Sequence, residues 1–231
     1  MTVCGFAKTR DGRAFAWADS EVYRDDSPVG SAVKLACSQA GIVGAATGYL
    51  DLAKEFVQRV ERLGAMSISG AIATLPARLR AARDAKIKRM RELDCAYEPH
   101  TVYGLVGWTG AEMLGAVFDE GRDFAPVITE AWLSPHVDAS PATAAEVLAV
   151  AQKQLGYVRQ HIPKATGLML SIARLGPAGI AQTSVPLLIA GETAPVPAPT
   201  RAVSGDSPAH MVAAVRAAED ERVRRYWRGS A

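Results

Sequence analysis

Short apolar runs separated by glycine-containing turns fill the first fifty residues. Thr2-Val3-Cys4-Gly5-Phe6-Ala7 and Ala14-Phe15-Ala16-Trp17-Ala18 flank Arg10-Asp11-Gly12, which predicts a hairpin with strands over about 2–9 and 13–20. A second hairpin is predicted with strands over about 32–38 and 42–47, turning at Gln39-Ala40-Gly41. These strands are apolar on both faces, as in a sheet covered from both sides. The period then changes. Leu52, Phe56, Val60 and Leu63 mark one face of a helix over 49–63, and Leu75, Leu79, Ala82, Met90 and Leu93 mark another over 71–95, interrupted by Lys86. Strands are predicted again over 101–108, 111–118 and 127–133. Ser140 as N-cap and Pro141 at the first helical position open a third helix, whose stripe runs Ala144, Val147, Leu148, Ala151, Leu155 and Val158 until Pro163 ends it. A last hairpin, 167–173 and 180–189, turns at Gly176-Pro177-Ala178-Gly179.

Beyond this hairpin, residues 191–206 are rich in proline, alanine and threonine and read as a linker, and Ser207-Pro208 starts a final amphipathic helix over 207–231. The predicted organisation is a domain of residues 1–190, the linker and the appended helix. Antiparallel strands with helices grouped between them suggest an α+β domain in which two stacked sheets lie between helices, a four-layer α/β/β/α arrangement. A chain of 231 residues is long enough to bury such a core. Its 26 basic and 24 acidic residues give no electrostatic demand for a polyanionic partner. Cys4, Cys37 and Cys95 are odd in number and far apart, so they read as reduced thiols with no disulfide framework. Lys8, Arg10, Asp11 and Arg13 break up any leader-like apolar segment, and no run approaches the roughly 20 apolar residues that span a bilayer. A soluble, cytoplasmic protein with no membrane partner is expected.

Candidate chemistry starts at Thr2, directly behind Met1. A threonine freed of the residue ahead of it carries a hydroxyl nucleophile and an α-amine, and an amine with a pKa of about 7.7–8 can serve as the hydroxyl's own base. A carboxylate and a buried lysine nearby would complete such a site. Asp19, at the end of the second strand, is a candidate for the first, or an ordinary turn residue before Ser20. Lys34 sits in the middle of the apolar run Ser31 to Cys37, so it must lie on an edge, snorkel or pair. Gly48 closes Gly44-Ala45-Ala46-Thr47-Gly48 ahead of a helix, where it allows close packing.

These residues together, Thr2 behind Met1, the Asp-Gly hairpin, Ala18-Asp19-Ser20, Lys34 and the glycine-rich run to Gly48, resemble the proteasome β-type subunits. The bacterial HslV-type peptidases, which also carry threonine straight after methionine, are the most similar subgroup. The resemblance runs through the closing GLMLSIARLGPAGI hairpin, about residues 2–190. It implies an N-terminal-nucleophile hydrolase in which Thr2 attacks, its α-amine takes the proton, Asp19 holds charge beside Lys34, Lys34 lowers the effective pKa of the threonine, and the Gly48 N–H stabilises the oxyanion. It further implies self-association into a ring, a peptide or protein substrate, and an ATP-driven unfoldase as a possible partner, with no cofactor. The chain departs from the family at three places. One extra residue separates Thr2 from Asp19. The family's Gly-Ser-Gly opening of a further helix is replaced by Leu133 to Ala139, and its Asp-x-x-Ser-Gly element, which supports the threonine amine, by His161 to Gly167. A threonine-dependent peptidase is one expectation, a catalytically silent subunit of the same fold a second, and a small-molecule amidase a third.

Two further features carry less. Arg78, Arg80, Arg83, Lys86, Lys88, Arg89 and Arg91 make the second helix basic with only Asp84 opposing, but no aromatic residue among them could stack on bases, so no nucleic-acid partner is expected and a solvated face or subunit contact is the better reading. His100, His136, His161 and His210 lack ligand spacing, so no metal site is expected.

Overall fold

The computed structural model describes residues 2–187, apart from 25, 26, 99, 140 and 166–168. The linker over 191–206, the helix over 207–231 and the Ser140 cap therefore lie outside the described residues.

Turn chemistry sets the first hairpin. Thr9 N–H donates to Arg13 O at 2.8 Å and Gly12 N–H to Thr9 O at 3.0 Å, with Gly12 at φ 78°. This three-residue loop with a left-handed glycine joins β1 (Cys4–Lys8) to β2 (Ala14–Asp19), with Cys4 opposite Ala18. A ribbon of β3 (Glu21–Arg24) and β4 (Ser27–Ser31) follows, then β5 (Leu35–Cys37) and β6 (Ile42–Thr47), closed by Gly41 at φ 78°. Helix α1 (Leu50–Glu61) begins at Tyr49, and α2 (Ile68–Glu92) at Ser67, whose Oγ accepts from Gly70 N–H. Next come β7 (Val102–Trp108), β8 (Met113–Asp119), a 3-10 turn (Glu120–Arg122), β9 (Pro126–Ile128) and β10 (Ala131–Ser134). Helix α3 (Ala144–His161), β11 (Met169–Gly176) and β12 (Gly179–Pro186) complete the order.

The result is a mixed α+β fold. Among the described residues there are two five-stranded antiparallel sheets, β10-β1-β2-β11-β12 and β5-β6-β7-β8-β9, beside the β3–β4 ribbon. The strand period of two distributes the side chains of β2 cleanly. Phe15 and Trp17 cluster with Val147, Leu155 and Val158 of α3, while Ala14, Ala16 and Ala18 cluster with Val43, Ala45 and Val106 of the other sheet. On that second sheet Tyr103, Leu105 and Phe118 cluster with Phe56, Val60, Leu75 and Leu79 of α1 and α2. Each large side chain so buried contributes about 1.5–3 kcal/mol. Two rings of the first sheet press onto bare backbone of the second. A Cβ at Gly104 would stand 2.5 Å from Trp132 Cζ3, and one at Gly115 would stand 2.5 Å from Phe6 Cε2.

Several expectations are corrected. The single strand over 127–133 is two, β9 in one sheet and β10 in the other, and Thr129 turns the corner with its Oγ1 donating to Ala131 O at 2.9 Å. Lys34 precedes β5 instead of sitting within a strand. Helix α3 starts at Thr143, not at Pro141, because Thr143 and Glu146 form a reciprocal capping box. Helix α2 starts three residues before Ala71, since Ser67 caps it. The β3–β4 ribbon was not foreseen at all.

Candidate active site

The extended backbone of β1 brings the N-terminus alongside the end of β2, where Asp19 N–H donates to Val3 O at 2.8 Å. Into this corner, from the segment ahead of β5, reaches Lys34. Its Nζ donates to Thr2 Oγ1 at 3.2 Å, to Asp19 Oδ1 at 2.9 Å, and to the backbone carbonyl of Glu21. An ammonium has three N–H donors, and all three are used. Lys34 is 6 % exposed and Asp19 1 %, so the pair lies in low dielectric and neither charge is tolerable there without the other. Of the three environments open to Lys34, edge, snorkel or pairing, the structure takes the third. The Thr9–Arg13 turn joins β1 to β2, and Thr2 and Asp19 both reach Lys34.

Burial pushes the Asp19 carboxyl up to about 6, against the counter-effect of Lys34, and its Oδ2 finds no protein donor among the described residues. Burial, reinforced by Asp19, also holds the Cys4 thiol well above its ordinary range, so Cys4 is not a thiolate nucleophile despite lying two residues from Thr2. On β3 the Tyr23 hydroxyl donates to Glu21 Oε2, and both burial and this bond push the phenol well up.

Gly48 lies at φ 111°, between β6 and α1. A Cβ there would meet Thr101 Cα at 2.6 Å and Thr101 Oγ1 at 2.8 Å, so the position excludes a side chain on both conformational and steric grounds. Its nearest groups are thus on the segment before β7. That segment is tied down by buried Glu120, whose Oε2 accepts from Thr101 N–H at 3.1 Å and whose Oε1 accepts from the Tyr97 hydroxyl. Lys34 is brought to Thr2 and Asp19, whereas Gly48 makes no hydrogen bond to the three among the described residues.

Gln154 was missed in the sequence. Fully buried on α3, it accepts from Trp17 Nε1 at 2.9 Å and donates from Nε2 to Cys4 O and Pro135 O, each at 3.0 Å. One amide thus ties β1, β2 and the chain after β10 to the helix. Its only sequence signal is a polar residue interrupting the stripe between Ala151 and Leu155.

Chemically, a buried ammonium donating to a hydroxyl stabilises the alkoxide that forms when the hydroxyl loses its proton. With all three N–H groups engaged, Lys34 has no lone pair to accept that proton. A base would have to come from elsewhere. Two open clefts, of about 360 Å³ and 240 Å³, lie away from this corner. Asp11, Arg13, Phe15, Thr143 and Arg174 line the first, and Lys8, Glu112, Met113 and Glu130 the second.

The basic face of α2 is partly neutralised by acids from other elements. Arg80 and Arg83 pair with Asp123, and Lys86 pairs with Asp51 at 2.7 Å. Among the described residues, no group of three or more His, Cys, Asp or Glu side chains is placed to hold a metal, and no helix is long and apolar enough to cross a membrane.

No protein-family model matches the chain, and no curated protein matches it in sequence.

Proposed function

We propose that the chain is a threonine-dependent amide-bond hydrolase, a peptidase subunit that works in a homo-oligomeric ring on peptide or protein substrates. The observation that carries this reading is a single buried ammonium, Lys34, donating both to Thr2 Oγ1 and to Asp19 Oδ1. In it Thr2 is the nucleophile, its freed α-amine is the base that Lys34 cannot be, and Asp19 keeps Lys34 charged. The Gly48 N–H is the oxyanion donor, a role worth about 2.7–4 kcal/mol to the barrier in a hydrolase of another fold. The three side-chain clusters, helix against sheet, sheet against sheet and sheet against helix, support a four-layer α/β/β/α sandwich of the N-terminal-nucleophile type. An ATP-driven unfoldase is the partner such a ring would take, in the cytoplasm.

A second reading is favoured by two specific observations: Thr2 is only 6 % exposed, and both clefts lie elsewhere. It makes the chain a catalytically silent subunit with an assembly role.

Intact mass separates the two, measured before and after exposure to an electrophile that acylates N-terminal threonine. The hydrolase reading expects loss of Met1 and one adduct, absent in Thr2→Ala. Retention of Met1, or a free Thr2 that stays unmodified, would leave the silent subunit.

A further inference from the structure

The least satisfied polar atom of the corner is Asp19 Oδ2. It is buried, belongs to a carboxyl whose other oxygen is already bonded to Lys34, and has no protein donor among the described residues. Leaving a charged acceptor in that state costs more than leaving a neutral one. Lys34 cannot supply the bond, because its three N–H groups already go to Thr2, Asp19 and Glu21. Cys4, 0 % exposed, has only a weak S–H donor. Tyr23 spends its hydroxyl hydrogen on Glu21. The donor the chain itself can still create is at Thr2, whose hydroxyl shares Lys34 with Asp19 and whose neighbour Val3 accepts from the Asp19 backbone.

We propose that, when hydrolysis of the Met1–Thr2 bond exposes Thr2, the new α-ammonium donates to Asp19 Oδ2, which makes Asp19 the group that positions the amine. Water adds its oxygen to the Met1 carbonyl carbon as the C–N bond breaks, methionine leaves with the carboxylate, and the Thr2 nitrogen takes up both water protons to become the α-ammonium. Asp19 then accepts from Lys34 on Oδ1 and from the α-ammonium on Oδ2; once the ammonium gives one proton to solvent, the amine keeps its place beside the Thr2 hydroxyl and has the lone pair that takes the hydroxyl proton. The inference rests on the hydrolase reading. The titratable and charged groups around this bond are Lys34 ahead of β5, Glu21 and Tyr23 on β3, Cys4 on β1 and Arg159 of α3, which acts on Tyr23.

The test is the pKa of the α-amine in the full-length trimmed protein, read by NMR of the reductively ¹³C-methylated N-terminus in wild type and Asp19→Asn. A carboxylate bonded to the ammonium holds its proton, so the wild-type amine is expected to titrate at least one unit, tenfold in proton affinity, above the variant's. Equal values would overturn the proposal and assign Oδ2 to another donor. If Asp19→Asn does not fold, wild type alone decides. Trimmed protein is expected to be more stable than protein made with Met1 retained, by a margin that opens as the pH rises through 6. No margin at any pH would overturn the proposal. Neither readout uses a substrate. A protein with the raised amine pKa but no reaction at Thr2 would uphold the anchoring and sink the hydrolase reading. An acylated Thr2 with an unshifted amine would do the reverse.

Discussion

At the scale of single residues, the corner sets the burial of the Asp19 carboxyl against its pairing with Lys34. Burial raises the Asp19 carboxyl from 3.8 to about 6 in the folded chain, so the folded state holds that proton more tightly than the unfolded one. The contribution of this group to stability is therefore complete below about pH 3.8 and is lost as the pH rises through 6. Lys34→Met isolates the effect. At pH 8 it leaves an uncompensated buried carboxylate and is expected to cost about 3–5 kcal/mol, a loss that shrinks towards pH 5 as Asp19 takes up its proton. Urea unfolding of both proteins at the two pH values measures this, and a pH-independent difference would contradict it. The candidate site was legible here to an unequal degree. An isolated lysine in the run Ser31 to Cys37 demands an explanation, and Asp19 is a nearby acid, so both could be named. Glu21 could not. Its contribution to Lys34 is a backbone carbonyl, which every residue has and no sequence pattern advertises.

Among the elements, those with a sustained period were readable and those defined by a change of partner were not. The stripe Leu52, Phe56, Val60 marks α1, and the left-handed glycines Gly12 and Gly41 mark two hairpin turns. By contrast, Val127 to Leu133 reads as one strand but feeds two sheets, because Thr129-Glu130, where hydrogen bonds make the hand-over, is a polar pair too short to mark a turn by itself. The β3–β4 ribbon lies over Glu21 to Ser31, too polar to signal strand by alternation. The start of α3 was available: Thr143-Ala144-Ala145-Glu146 is a capping-box sequence, and Pro141 drew attention from it. Gln154 is the clearest gap, since a polar residue on an apolar stripe can be a defect or a bolt. The structure makes it a bolt between α3, β1 and β2. Gln154→Leu strands Trp17 Nε1 and the Cys4 carbonyl, and a loss of roughly 2–4 kcal/mol is expected in thermal or urea unfolding. A neutral result would mean that those groups find other partners.

For the whole molecule, the spacing between the two large sheets is set by glycines on one meeting rings on the other. The same substitution should therefore have opposite signs at two sites. Gly104→Ala places a methyl against Trp132 and is expected to cost about 1–3 kcal/mol. Gly156→Ala, inside α3 with nothing near its Cβ, is expected to stabilise by up to about 1 kcal/mol. Melting temperatures of the two variants against wild type decide it. The topology has one more consequence. The sheet β5-β6-β7-β8-β9 pairs each strand with its neighbours in sequence and is complete at Ile128, whereas β1 and β2 lie between β10 and β11 and cannot be enclosed until Ala131 to Gly176 exist. At a synthesis rate of about 5–20 residues per second, the first residues of this chain wait roughly ten to thirty seconds on an unfinished sheet. Thr2, 6 % exposed in the finished fold, lies two residues ahead of β1 and waits with it.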